Sequence, residues 1–166
     1  AENLALLERK IQTLDLIKQL NASDQIEFAE PNYIYHATAS VNDPRLSDQW
    51  NLSMLSMPAA WEVSTGQGVV VAVLDTGINA SHEDLMNNIH AEGYDFISDS
   101  KSSGDGNGFD NKPNDEGKSY HGSHVAGVIA AEADNALGIA GLAYDAKIMP
   151  LRVLGVQDAG ASSDIA

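Results

Sequence analysis

Leu4, Leu7, Ile11, Leu14, Ile17 and Leu20 recur at helical spacing, with Glu8, Arg9, Lys10 and Lys18 between them. Positions three or four apart share one face of an α-helix, so the pattern predicts an amphipathic helix, ended by Asn21-Ala22-Ser23-Asp24. The next stretch, QIEFAEPNYIYHA from Gln25 to Ala37, changes period. Ile26 and Phe28 fall on one face and Glu27 on the other, which predicts an antiparallel strand interrupted by Pro31. Residues 37–48, ATASVNDPRLSD, are polar and aperiodic and read as a linker.

Beyond the linker the apolar residues run together. Pro58-Ala59-Ala60-Trp61-Glu62 predicts a short helix with proline in its first turn. GVVVAVLD, Gly68 to Asp75, is a continuous and largely β-branched run. A strand apolar on both faces belongs in a parallel sheet covered by helices on both sides, so the fold class expected is α/β. AKIMPLRV, Ala146 to Val153, predicts a second buried strand, and Gly93–Ile97 a short third one. Between them, residues 98–119 form a long loop rich in Gly, Asp and Asn, the kind that is functional or ordered by a metal. The helix that starts near His121 carries Ala126, Gly127, Ala130 and Ala131, small residues that let it pack close to a neighbour. No internal repeat is visible.

Composition narrows the partners. The chain of 166 residues is 43% apolar, enough for one domain with a core. Its formal net charge is −15, which argues against nucleic acid, because phosphate contacts need Lys and Arg. The same surplus of carboxylates suits a hard cation such as calcium. There is no cysteine, so disulfides, thiolate metal sites and a cysteine nucleophile are excluded. No apolar run approaches the roughly 20 residues of a membrane span. Ala1–Lys10 already belong to the first helical pattern, so the chain reads as a piece of a longer protein.

Asp75 ends the first buried strand and is followed by Thr76-Gly77. A carboxylate at the C-terminal edge of a parallel sheet lies where ligands and reactive groups gather. Three readings of it stand side by side. It caps the chain. It is a nucleophile, as in aspartyl-phosphate phosphatases, although Gly77 stands where those enzymes place a second, magnesium-binding Asp. Or it orients a histidine by accepting its Nδ1–H. His121, at the start of the Ala/Gly-rich helix, is the candidate, with Gly117 and Gly122 giving room around it. His124 is expected to pack in the core or bond a backbone group. A zinc pair His121-x-x-His124 lacks an intervening Glu and a third ligand at a known spacing.

The three blocks VVVAVLDTGINASHEDL, HGSHVAGVIAA and NALGIAGLAYDAKIMPLRVL, in that order, resemble the subtilisin-like serine protease (subtilase) family over about residues 41–166. Ser123 stands where the family usually has Thr. The resemblance implies a subtilisin-like, incomplete parallel sheet. It implies Asp75 as orienter and His121 as general base and then acid in peptide hydrolysis. Asp158, Ala159 and Gly160 match the backbone edge that pairs with an extended substrate. The family's nucleophilic Ser and oxyanion Asn lie in later blocks, and Ser162 and Ser163 match neither. A piece without that Ser is expected to be inactive alone.

The N-terminal part, in particular FAEPNY, resembles the end of the family's inhibitory propeptide. That implies residues 1–36 as an α+β propeptide remnant, 37–42 as the processing linker and 43–166 as the N-terminal part of the catalytic domain. Cleavage is expected within His36–Asn42. By position, one calcium site would use Asp43, Asp84 and Asn135, with backbone carbonyls of Glu132, Leu137 and Ile139. Asp105, Asn107, Asp110 and Asp115 could share a second ion, with Asp95 and Asp99 as weaker candidates. The partners implied are protein or peptide substrates and the chain's own propeptide as intramolecular inhibitor, in a secreted, extracellular enzyme. A catalytically inactive, calcium-binding pseudo-protease or truncated chain is the alternative.

Overall fold

A computed structural model describes residues 2–31 and 41–166 of the chain. The chain divides into two compact units, Ala1–Ala37 and Thr38–Ala166. In the first, helix α1 spans Glu2–Asn21 and carries Lys18 in its last turn, where a cation meets the negative end of the helix dipole. Asn21 then folds the chain back: its side-chain amide donates to the Ala29 carbonyl at 2.8 Å and accepts from the Ala29 N–H at 2.7 Å. The alternating stretch from Gln25 does not form the expected strand. Residues 25–31 are turn and irregular chain with Phe28 exposed, and the remainder, 32–37, lies outside the described residues. Alternation alone makes no strand, because a ladder needs a partner, and α1 is the only other element described in this unit.

The second unit begins with ordered chain rather than linker. Asp43 is buried, a 3₁₀ turn covers Leu46–Asp48, and helices α2 (Trp50–Met54) and α3 (Met57–Trp61) follow. Pro58 lies in the first turn of α3, as expected. Gln49 locks this segment in place by bonding both the N–H and the carbonyl of Ala140, at 2.9 and 2.8 Å. Leu52 and Trp61 form a small core with Ala140, and the Trp61 indole N–H donates to the Leu142 carbonyl at 3.0 Å.

The sheet has three parallel strands in the order β1-β3-β2: β1 is Val70–Asp75, β2 is Tyr94–Asp95 and β3 is Lys147–Arg152. Val70 pairs with Lys147 and Asp75 with Arg152. Pro150 is tolerated in the central strand because β2 pairs only with Leu151 and Arg152, so no ladder bond is lost at its missing N–H. Helix α5 (His121–Ala130) packs on one face, where Ala126 and Ala130 meet Val73, Ile78, Leu85, Ala146 and Ile148. The small residues give the close approach expected of them. On the opposite face Val70 and Leu74 are exposed among the described residues. None of the described helices is long and apolar enough to cross a membrane.

The long loop is built rather than loose. Helix α4 (Ser100–Ser103) is capped by Asp99, which accepts from the Ser102 N–H at 2.9 Å and from its hydroxyl at 2.7 Å. The loop is hooked to the sheet by Arg152, which is fully buried. Its Nη1 donates to Asp95 Oδ2 at 2.7 Å, its Nε to the Thr76 carbonyl at 3.2 Å and its Nη2 to the Ser103 carbonyl. Helix α6 (Ser162–Ile165) joins the same region through Asp164, which accepts from the Ser98 hydroxyl at 2.9 Å.

Removing one member of a buried ion pair strands the other charge, at a cost of about 3–5 kcal/mol. Asp95→Ala is therefore expected to destabilise the protein by about that amount in denaturant unfolding. A change below ~1 kcal/mol would show that the pair is not a structural hub.

Candidate active site

The parallel strand β1 delivers Asp75 to the C-terminal edge of the sheet, 8% exposed. One carboxylate oxygen accepts from the Thr76 N–H at 2.7 Å. His121, the first residue of α5, brings its Nδ1 to 2.8 and 2.9 Å from the two oxygens of Asp75. With a carboxylate on that side, Nδ1 carries the proton and Nε2 is left as the basic lone pair. The imidazole is more than half exposed, and Nε2 makes no hydrogen bond among the described residues. The hydrogen bond that His121 donates to Asp75 raises its pKa above the ordinary histidine value, and the charges of Asp75, Asp158 and Asp115 add to it.

Local backbone explains how two elements so far apart in sequence meet. Gly77 has φ of +99°, and a Cβ there would stand 2.7 Å from the carbonyls of Pro113 and Asn114. A Cβ on Gly122 would collide with the Gly77 carbonyl and press on the Asp75 side chain, so only glycine lets α5 lie against the strand end. Tyr120, in the left-handed region at φ 52°, turns the chain into the helix. Ser123 accepts from the Asn79 N–H at 2.8 Å, fastening α5 to the loop after β1 with the hydroxyl that Thr would also supply.

His124 departs from expectation. It is exposed and lines an open groove of about 780 Å³ with Arg45, His82, Glu83 and Ile139. It sits on the face of α5 turned away from the sheet, which is why it neither packs in the core nor caps the backbone. Neither His121 nor His124 belongs to a group of three potential metal-ligand side chains among the described residues.

Asp158, Ala159 and Gly160 lie exposed on a turn after β3. Gly155 N–H donates to the Ala159 carbonyl and Asp158 N–H to that of Gly155, both at 2.9 Å. Asp158, at φ 56°, accepts from the Ser119 hydroxyl at 2.6 Å, two residues before His121. A recess of about 190 Å³ beside the turn is lined by Lys101, Ser102, Val156 and Ala159.

The first group of expected calcium ligands converges. Asp43 and Asp84 are both buried and both face the turn after α5. Asp43 accepts from the Asp134 N–H at 3.0 Å. Asp84 accepts from the Asn135 side chain at 2.8 Å and the Ile139 N–H at 3.0 Å, and Leu137 N–H bonds the Asn135 Oδ1. Neither carboxylate has a Lys or Arg within ion-pair distance among the described residues. The Asn135 amide turns its Nδ2 to Asp84 and its Oδ1 to the Leu137 N–H, so the two buried carboxylates are the oxygens here that suit a hard cation. The Glu132 side chain turns elsewhere, to Asn87, which leaves only its carbonyl for this purpose.

The second group is brought together only in part. Carboxylate oxygens of Asp95, Asp105 and Asp110 lie within 4.8 Å of one another, and Asn107 donates to Asp110 at 3.2 Å. Asp115 stands apart, bonded to Thr76 and Gly117, and Asp99 is occupied capping α4. Sequence reading named Thr76 and Ser123 without giving them a role, and missed Arg152. The signal for Thr76 was its place directly after a strand-end carboxylate; Arg152 showed none beyond a charge inside an apolar run.

A buried carboxylate bonded to Nδ1 of an exposed imidazole at the C-terminal edge of a parallel sheet can fix the ring's tautomer and leave Nε2 to take up a proton. Residues 66–166 match the family model described as the subtilase family, and the chain belongs to that family. It is 46% identical over 171 residues to an extracellular protease of Xanthomonas campestris pv. campestris, covering 91% of this chain and 29% of that protein. It is 40% identical over 168 residues to an extracellular basic protease of Dichelobacter nodosus, covering 87% and 27%. Its fold matches a solved protease of Pseudoalteromonas arctica PAMC 21717 with a TM-score of 0.73 and 44% identity, over 76% of this chain and 42% of that one. The chain thus spans less than a third of the length of the curated relatives named here.

Gly122→Ala is expected to push His121 away from Asp75. In an NMR titration the His121 imidazole pKa should fall back toward the ordinary histidine value. An unchanged raised pKa would mean that the close approach does not hold the pair.

Proposed function

We propose that the chain is the front part of a secreted serine endopeptidase made as a self-processing proenzyme. The observation that carries this reading is the Asp75–His121 pair, with Nδ1 at 2.8 Å from the carboxylate and the ring more than half exposed. The names of three relatives, an extracellular protease, an extracellular basic protease and a thermophilic serine proteinase, support it. His121 Nε2 takes the proton of a serine hydroxyl supplied by chain beyond residue 166, as that oxygen attacks the scissile carbonyl. Asp75 holds the ring in the required tautomer and stabilises the imidazolium that forms. His121 then returns the proton to the leaving amine. The exposed edge Asp158–Gly160 pairs with the extended peptide. Because His121 must be neutral to act as base and Asp75 raises its pKa, the acid limb of kcat/KM lies above that of an isolated imidazole.

Residues 1–36 act as an intramolecular inhibitor and 37–42 hold the processing bond. Calcium would be held by Asp43, Asp84 and Asn135 with carbonyls of the 132–139 turn, and a second ion by Asp105, Asn107 and Asp110. When bound, it would supply the positive charge that the buried carboxylates of Asp43 and Asp84 lack.

Two measurements test the reading. In the full-length protein, Asp75→Asn is expected to block self-cleavage within residues 36–42 and to lower turnover by about 10⁴-fold. Normal processing of that variant would remove Asp75 from the mechanism. Chelation with EGTA is expected to lower the melting temperature by several degrees, and less so in Asp84→Asn. Equal melting curves with and without chelator would remove the metal.

A further inference from the structure

The geometry points to Asp115 as a positioning residue for His121, acting through the Thr76 hydroxyl. This rests on the endopeptidase reading above and adds a residue to its machinery. Thr76 is 1% exposed, and its hydroxyl sits between two partners. Thr76 Oγ1–H donates to Asp115 Oδ2 at 2.7 Å, and the same oxygen accepts from the Gly122 N–H at 3.0 Å. A hydroxyl has one proton and rotates freely, so where that proton goes decides which side offers a lone pair. The Asp115 carboxylate can only accept. It takes the proton, and the lone pair is thereby turned to Gly122.

Gly122 follows His121 directly, so this bond fixes the peptide plane joining them. The His121 ring is more than half exposed, and little packing holds it. Its place depends on the Asp75 contact and on this backbone anchor. Asp115 is itself held: its Oδ1 accepts from the Gly117 N–H at 3.1 Å, and its own N–H donates to the Ile78 carbonyl at 3.2 Å. On the other side of the peptide, Arg152 holds the Thr76 carbonyl. The end of the long acidic loop is thus tied to the base through two hydrogen bonds, apart from the acidic cluster around Asp105.

The test uses the full-length protein and follows kcat, KM and the pH profile on a peptide substrate. Asp115→Leu removes both acceptor and charge. It is expected to lower kcat about tenfold or more with KM little changed. Asp115→Asn keeps an acceptor, so it should lose severalfold less. The negative charges of Asp75, Asp158 and Asp115 each raise the His121 pKa, Asp75 in direct contact and the other two at longer range. Removing one negative charge therefore moves the acid limb of Asp115→Asn to lower pH. Thr76→Val should behave like Asp115→Leu, and Thr76→Ser should recover most of what Thr76→Val loses. The latter pair decides the matter if Asp115→Leu does not fold. Wild-type kcat in Asp115→Leu or in Thr76→Val would overturn the inference, as would equal losses in the two Asp115 variants with an unmoved acid limb. Asp75→Asn, measured alongside, separates the two readings. If it is silent while the Asp115 and Thr76 variants are normal, only the positioning role falls; if it is fully active, the endopeptidase mechanism falls with it.

Discussion

The contact between the Asp75 carboxylate and His121 Nδ1 is the constraint to which the rest of the second unit answers. It joins the end of a strand to the start of a helix across a long loop, and neither residue could find the other without the fold. The parallel register of β1 on β3 fixes where the strand ends. The alanine face of α5 fixes how near the helix comes, and Gly122 removes the one side chain that would hold it off. An exposed imidazole on a buried carboxylate has a raised pKa and an open nitrogen, which are the properties of a general base.

Charge inside the unit is managed by pairing rather than exclusion. A net charge of −15 would oppose compaction if the carboxylates were left to themselves. Arg152 and Asp95 are buried completely and neutralise each other, and the guanidinium spends its other N–H groups on the Thr76 and Ser103 carbonyls. Asp43 and Asp84 are buried without a cationic side chain among the described residues, so backbone and amide N–H groups satisfy them. That is where a hard cation would add most, because it supplies the charge that the hydrogen bonds do not.

Much of the sheet and of the dyad was legible because the signals were local. A β-branched run ending in Asp, and a His at the head of an Ala/Gly helix, each state their element and its end. What was not legible depends on partners distant in sequence. The Ile26/Phe28 alternation predicted a strand, but pairing decides strands, and residues 25–31 pair with nothing described. His124 fell one turn along the same helix yet on its outer face, a matter of phase that a short apolar run fixes poorly. Asp115 looked like one more acid in an acidic loop; only the fold sets it against Thr76. Arg152 sat inside an apolar run with nothing to announce its three partners.

In the mechanism proposed above, His121 activates a serine nucleophile. The most direct measurement is to treat the full-length protein with diisopropyl fluorophosphate and locate the adduct by mass spectrometry, in the wild type and in His121→Ala. One modified serine is expected, beyond residue 166, whose labelling rate falls by orders of magnitude without His121. Labelling that proceeds equally well without His121, or no adduct at all, would contradict it.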